Sequence, residues 1–198
     1  MDILSLLFPK RCILCGVRGQ EDICPNCGCA LSRATPGEHP GVLCPWKYQG
    51  SLRKAIHRYK FEGAIAYARP FARAMALCIN PAEYDALTYV PSSFLRYWKR
   101  GYNQCLVLTR EVSRLTGLPV IPLLRRVRHR KGQYLLTDAE SRYNNVKDAF
   151  ALREPGHPPM RVLLVDDIFT TGATYRTCRD LLAAVGHENV NLLCIAKK

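Results

Sequence analysis

The sequence predicts an α/β domain, a mostly parallel sheet flanked by helices, preceded by a small cysteine-rich head. Three observations carry that prediction. Val162-Leu-Leu-Val165 is wholly apolar, as expected of a strand inside a parallel sheet whose two faces are both covered by helices. Strand-like and helix-like stretches alternate from residue 46 onward. Six of the ten cysteines fall in the first 44 residues. The expected division is a head at 1–45 and an α/β domain at 46–198.

Size and composition allow this. The chain has 198 residues, 48% of them hydrophobic, enough for one ordinary core plus an appendage. No apolar run approaches the roughly 18 residues of a membrane span, so no membrane insertion is expected. The start, MDILSLLFPKRC, lacks a basic n-region and a small-residue cleavage site. A cytosolic protein is the expectation, and a cytosolic setting disfavours disulfides.

In the head, Cys12-Ile-Leu-Cys15 and Cys24-Pro-Asn-Cys27 form C-x2-C-x8-C-x2-C. Two such pairs complete a closed tetrahedral thiolate site, so Cys12, Cys15, Cys24 and Cys27 are expected to hold a structural zinc ion. Gly16 and Gly28 follow the two knuckles, where a turn favours positive φ. Reduced cysteines without metal and a redox dithiol are the competing readings. Cys29 and Cys44 are spare thiols that could substitute as ligands. A closed site has no open position for substrate, so its role would be to stabilise a fold too small to hold itself together. Thr35-Pro-Gly-Glu-His-Pro-Gly41 reads as a linker or long turn.

In the body, Leu52 to Tyr59 mixes apolar and basic positions and is closed by Lys60-Phe-Glu-Gly63. Ala64 to Ile79 is helix-like, with Pro70 a kink or a fresh helix start. Ala86 to Val90 is a strand ending at Pro91, and Ser92 to Tyr102 is the polar, basic loop that follows it. Gln104 to Thr116 is a helix with Leu106, Leu108, Val112 and Leu115 at helical spacing, ended by Gly117. Leu118 to Leu124 reads as a short strand, and Arg125 to Arg142 as a charged surface loop. Thr174 to Val185 is the next helix and Val190 to Ala196 the last strand. In such folds ligands bind beyond the carboxyl ends of the strands. The loops 92–104 and 166–174 sit there.

The net charge is 29 − 16 = +13 and it is concentrated. Arg96 to Lys131 holds ten Arg/Lys and one acid, Glu111, or +9. Such clustering suits a polyanionic partner as well as a solvated face.

Thr170-Thr-Gly-Ala-Thr174 opens a helix, whose free N–H groups and partial positive charge suit a phosphate. Asp166 and Asp167 cannot bind that phosphate, but they can accept hydrogen bonds from the vicinal hydroxyls of a ribose. The stretch therefore suits a sugar phosphate. A core strand with a capped helix needs only one Asp or Thr. A magnesium-binding acidic pair of the response-regulator type looks alike locally, but that fold puts the acids on its first strand, and here only 31 residues follow Asp167. A Walker loop is excluded, because G-x-x-x-x-G-K-[ST] does not occur.

Val162-Leu-Leu-Val-Asp-Asp-Ile-Phe-Thr-Thr-Gly-Ala-Thr174 resembles the signature with which type I phosphoribosyltransferases bind 5-phosphoribosyl 1-diphosphate (PRPP). With Cys12–Cys27, Lys60-Phe-Glu-Gly63, Arg100-Gly-Tyr-Asn-Gln104, Gln133, Arg142, Asn145-Val146 and Ala149-Phe150, the chain is similar nearly throughout to the ComF family of competence-associated proteins. The resemblance implies a zinc-ribbon head on a type I phosphoribosyltransferase-like domain, and a role in handling single-stranded DNA during natural transformation. It implies that Asp166 and Asp167 hold the ribose hydroxyls and that Thr170, Thr171, Gly172, Ala173 and Thr174 hold the 5′-phosphate. Ser92 and Ser93 match the pyrophosphate loop, with Arg100 near enough to assist. Magnesium would bridge pyrophosphate and ribose oxygens. Arg126, Arg128, Gln133 and Arg142 match a charged segment able to close over the ligand. Arg130 stands where a threonine is expected, and Tyr102 where phenylalanine is commoner.

Two functions follow. In the first the protein binds PRPP and single-stranded DNA, with Arg96, Lys99, Arg100, Tyr102, Arg126, Arg128, Arg130 and Lys131 as the DNA-contacting set. Cations would track the backbone while Phe94, Tyr97, Trp98, Tyr102 and Tyr134 stack on bases. The alternative is an active phosphoribosyltransferase, with Asp166 and Asp167 steadying an oxocarbenium-like ribose. No base pocket or acceptor is evident for it. A third role is docking of the head on a helicase or another competence factor.

Overall fold

The computed structural model describes residues 10–92, 101–127, 149–153 and 160–198. In the head, β1 (Lys10–Arg11) and β2 (Arg18–Gly19) form an antiparallel hairpin, followed by a short helix α1 (Pro25–Ala30). The body contains β3 (Val42–Leu43), β4 (Trp46–Lys47), helix α2 (Gly50–Phe61), a 3-10 turn (Ile65–Tyr67) and helix α3 (Ala68–Ala76). Then come β5 (Ala86–Tyr89), helix α4 (Gln104–Thr116), β6 (Leu124–Arg126), β7 (Phe150–Leu152) and β8 (Arg161–Val165). The chain closes with β9 (Ile168–Phe169), helix α5 (Ala173–Ala183), β10 (Asn189–Leu193) and β11 (Ala196–Lys197).

The main sheet is parallel and four-stranded, in the order β3-β10-β8-β5. β8 has neighbours on both sides, which is why its apolar run is uninterrupted. Leu163 and Val165 face the core shared with α2, α3 and α4, through Leu52, Ile56, Phe71, Met75, Leu108 and Val112. Val162 and Leu164 face a second core with Cys178 and Leu182 of α5 and with Leu124 and Phe150. The period of two thus feeds two cores, and both need apolar residues.

Local chemistry explains most boundaries. α4 begins where the Asn103 side chain accepts the Leu106 N–H at 3.3 Å, and it ends at Gly117, in the left-handed conformation at φ 76°. The helix spans the expected residues, yet Leu115 is exposed, while Cys105 and Thr109 share the buried face with Leu108 and Val112. Pro70 lies in the first turn of α3, where its missing N–H costs no helical bond. No helix of the described residues is long and apolar enough to cross a membrane.

Three expectations are corrected. Leu118 to Leu124 is not a strand: Val120 makes one isolated bridge to Leu87, and Leu124–Arg126 turns instead into an antiparallel pair with Phe150–Leu152. Its partner lies too far along the chain for local pattern to reveal. Val190 to Ala196 is not one strand, since β10 ends at Leu193 and β11 joins a separate three-stranded sheet, β4-β11-β9. Gly28 lies inside α1 without positive φ; of the two knuckle glycines only Gly16, at φ 79°, needs the freedom.

The head packs against the body. Ile13 and Leu14 are buried in the same core as Leu52 and Phe71, and Asp22 takes an ion pair from Arg73 of α3 at 3.0 Å. Val42–Leu43, on the head side of the expected boundary at 45, is the edge strand of the main sheet, in register with Leu192–Leu193. The expected linker 35–41 is pinned by Lys197. Its side chain is 5% exposed, and its ammonium donates to the Thr35 carbonyl at 2.7 Å and pairs with Glu38 at 2.6 Å. Replacing that cation with an uncharged thioether chain, Lys197→Met, removes a charged hydrogen bond in a half-enclosed site. The expected loss is about 1–2 kcal/mol in urea unfolding, with earlier protease cleavage within 35–41. An unchanged midpoint and cleavage pattern would contradict this role.

Candidate functional site

The site grows from the carboxyl end of β8. Tyr89 of β5 lies beside Val165, and the Val90 N–H donates to the Val165 carbonyl at 3.0 Å. The two strands therefore release their loops, Val90–Ser92 and Asp166–Asp167, side by side. Val90, Pro91, Ser92, Asp166, Asp167, Thr170 and Thr174 line one cleft of about 220 Å³, with Lys60, Gln104, Cys105, Ile168, Arg126 and Phe150 completing its walls. A smaller hollow of about 30 Å³ adjoins it, lined by Thr170, Thr171, Gly172, Ala173, Thr174 and Asp166 among others. Every residue of the expected phosphate loop borders one or both spaces.

Gly172 opens α5 in the left-handed conformation at φ 75°, and a Cβ there would stand 2.9 Å from the Phe169 ring. Steric strain and a clash both demand glycine. The first turn of α5 holds no acid, and its leading N–H groups lie outside the helical ladder, which suits an anion.

The two carboxylates are held differently. Asp166 accepts the Asp167 N–H at 2.8 Å and the Cys105 thiol at 3.4 Å, both on Oδ1. Asp167 faces Lys60, whose ammonium lies 2.8–2.9 Å from both of its oxygens. Burial, then the neighbouring Asp167 charge, pushes the Asp166 carboxyl up to about 7, against the opposing pull of the Asp167 N–H and Lys60. Burial lowers the Lys60 ammonium, but Asp167 outweighs it and the net direction is up. Burial, reinforced by Asp166 and Asp167, pushes the Cys105 thiol well above its usual range. Cys105 thus stands as a thiol donor to Asp166.

Lys60 is held in turn. The Gln104 side chain donates to the Lys60 carbonyl at 2.8 Å, the Tyr59 hydroxyl donates to the Gln104 carbonyl at 2.7 Å, and the Tyr102 hydroxyl donates to the Tyr59 carbonyl at 3.2 Å. These bonds lace α2 to the start of α4. Tyr102, expected to contact DNA, thus has its hydroxyl turned to α2. Arg126, expected in the same set, lies over the Phe150 ring at 5.1 Å and lines the cleft. Ser93, Arg96, Lys99, Arg100, Arg128, Arg130 and Lys131 lie outside the described residues, as do Phe94, Tyr97, Trp98 and Tyr134. Local pattern missed Lys60, Gln104, Cys105 and Phe150 as cleft residues. The motif resemblance had marked three of them, but without a role.

In the head, the sulfurs of Cys12, Cys15, Cys24 and Cys27 all lie within 4.8 Å of one another. The Cys15–Cys24 separation is 3.8 Å. Zinc–sulfur bonds of about 2.3 Å in a tetrahedron set neighbouring sulfurs about 3.8 Å apart, so the four fit that ion. The Cys24 N–H donates to the Cys12 sulfur at 3.4 Å, as suits a ligand thiolate. Burial opposes the Cys12 thiolate, but backbone N–H donors of Cys24, Cys15 and Leu14 outweigh it and bring the thiol down to about 6. Cys29 and Cys44 are not in the cluster.

No protein-family model matches the chain. It is 34% identical over 195 residues to Competence protein F of Haemophilus influenzae, covering 92% of this chain and 84% of that one. It is 28% identical over 211 residues to DNA utilization protein YhgH of Escherichia coli K12, covering 94% and 89%. Competence protein ComFC of Streptococcus pneumoniae is 25% identical over 186 residues, covering 89% and 81%. Among solved structures, glutamine PRPP amidotransferase from Bacillus subtilis gives a TM-score of 0.47 at 15% identity, covering 69% of this chain and 30% of that one. Adenine phosphoribosyltransferase from Leishmania tarentolae gives 0.44 at 12%, covering 83% and 95%.

Two expected outcomes follow from this geometry. The carboxyl of Asp166 titrates higher in the fold than in the unfolded chain, so the folded state holds the extra proton between about pH 4 and 7. Its contribution is then fully present below about pH 4 and lost as pH rises to about 7. Asp166→Asn keeps an acceptor oxygen and removes the charge. It should raise stability by roughly 2–4 kcal/mol at pH 8 and hardly at all at pH 4. Denaturant melts across that range check this, and a parental slope in the variant would contradict it. For the head, elemental analysis should find about one zinc per chain, lost in Cys15→Ser. Under half an equivalent in the parent would defeat the assignment.

Proposed function

The chain belongs to the competence protein F (ComF) family, and on that premise we propose that it binds PRPP and single-stranded DNA in the uptake and handling of DNA. The observation that carries the reading is the shared cleft, in which Asp166 and Asp167 stand at the end of β8 beside the glycine-opened loop 170–174. Relatives named for competence and for DNA utilization support the role in DNA uptake.

The residues divide the ligand between them. Asp166 and Asp167 accept the ribose hydroxyls. A carboxylate offers about four acceptor sites, so Asp167 can take a hydroxyl without losing Lys60. Thr170 to Thr174 take the 5′-phosphate at the start of α5. Ser92, with Ser93 and Arg100, takes the pyrophosphate. Magnesium, when bound, would neutralise charge between pyrophosphate and ribose oxygens. The basic residues Arg96, Lys99, Arg100, Arg126, Arg128, Arg130 and Lys131 follow the DNA backbone, and the ring of Tyr102 meets a base.

A second reading is phosphoribosyl transfer. One feature favours it: Phe150, capped by Arg126, gives the cleft a ring wall against which an acceptor could lie. Calorimetric titration of PRPP with magnesium into the parent protein should give saturable binding. Asp166→Asn/Asp167→Asn should weaken it at least 100-fold. Pyrophosphate release that stays at background across a panel of acceptors supports the binding protein, and acceptor-dependent release supports the transferase. No binding by the parent overturns both.

A further inference from the structure

The cleft accounts for one residue of α2, Lys60. It leaves unexplained the outward face of the same helix. Arg53, Lys54, His57, Arg58 and Phe61 are exposed along it, opposite the buried Leu52, Ala55, Ile56 and Tyr59. At about 100° per residue these five occupy roughly 140° of the circumference. They span about 12 Å of axis, at about 1.5 Å per residue. Arg53, Lys54 and Arg58 have no ion pair with a carboxylate among the described residues; only His57 meets one, Glu62, at 3.3 Å. Phe61 is 57% exposed, and its ring lies 4.7 Å from that of His57, tilted by 38°.

Helix stability does not explain this face. Cations favour a helix near its C-terminus and disfavour it near its N-terminus. Arg58 and Lys60 sit in the favourable last turn, but Arg53 and Lys54 sit at the start, where no acid balances them. That start is otherwise weak, with Gly50 as its first residue and a Gln49 cap whose side chain makes no capping bond. Phe61 is not among the core residues either.

Cations in file without carboxylate partners, ended by an exposed pair of rings, suit a chain that carries phosphates on one side and bare bases on the other. A duplex would present its phosphates but hide its bases. We propose that the outer face of α2 is a track for single-stranded nucleic acid, with Arg53, Lys54 and Arg58 on consecutive phosphates and a base stacked on Phe61 beside His57. Lys60 stands next to Phe61 at the same end of α2, so a strand following the track arrives near the mouth of the Asp166–Asp167 cleft. This surface lies on a different element from the 96–131 segment. The inference rests on the single-strand-binding reading and specifies where that binding occurs.

The test uses the full chain and a fluorescent thymidine 20-mer, titrated at several salt concentrations. In Arg53→Gln/Lys54→Gln/Arg58→Gln the slope of log affinity against log salt should fall by about 2, at about 0.7 for each phosphate that is no longer neutralised. Phe61→Ser should weaken binding about 5- to 100-fold with the slope unchanged, the signature of a missing stack. PRPP titration should be parental in both variants, which also reports that they fold. Parental affinity and slope in both variants, with binding abolished by Arg96→Glu/Lys99→Glu, would overturn the track and leave the DNA-binding reading standing. A duplex of the same length competing as well as the single strand would overturn the stacking. No binding by the parent would overturn both the track and the broader reading.

Discussion

Two adjacent carboxylates at the buried end of a central strand are an electrostatic problem, and the ion pair between Lys60 and Asp167 is its solution. Charges in such a place cost several kcal/mol each unless they are paired and hydrogen-bonded. Asp167 has its cation. Asp166, whose donors among the described residues are an N–H and a thiol, answers by holding its proton to about pH 7. The cation comes from 107 residues away, so its helix has to be fixed in place. That is the work of the Tyr59, Gln104 and Tyr102 bonds, which lace α2 to the start of α4 beneath the cleft. The position of α2 in the fold is therefore tied to the chemistry at the end of β8.

A ligand with vicinal hydroxyls suits this balance. Hydroxyl donors supply to Asp166 the polar partners that water no longer does, and so favour its ionised form. Without such donors that form is disfavoured, which makes the site less stable than its burial alone would suggest, a common property of binding sites held ready.

Much of this was legible in the chain, for reasons that can be named. Val162 to Val165 could be placed in the sheet interior because a strand buried on both faces favours an unbroken apolar run. The four cysteines could be grouped because knuckle spacing is short and local. Asp166, Asp167 and the loop after them could be grouped around one cleft because strand end, turn and helix start are consecutive. Contacts made across long stretches of sequence were not legible. Lys60 stands among Arg53, Lys54 and Arg58 with nothing in local spacing to single it out. The β6–β7 pairing joins segments far apart in the chain, and no local alternation announces it. The break between β10 and β11 was hidden by the unbroken apolar run from Leu192 to Ala196, which reads as one strand although it serves two sheets. Nothing in the local sequence signals that the Tyr102 hydroxyl turns to α2.

The place of β3 has a practical consequence for anyone dividing this molecule. Gly41 and Leu43 accept from the Leu192 and Cys194 N–H groups at 2.7 and 3.0 Å, and so close the flank of the sheet. A polypeptide beginning at residue 46 would lose those acceptors and bare the β10 edge, whose Val190, Leu192 and Leu193 are otherwise buried. An open apolar edge is a template for other strands, and the expected fate is edge-to-edge association into aggregates. A cut before residue 41 would keep the strand with the sheet it completes, but it would still strip Ile13 and Leu14 from the shared core.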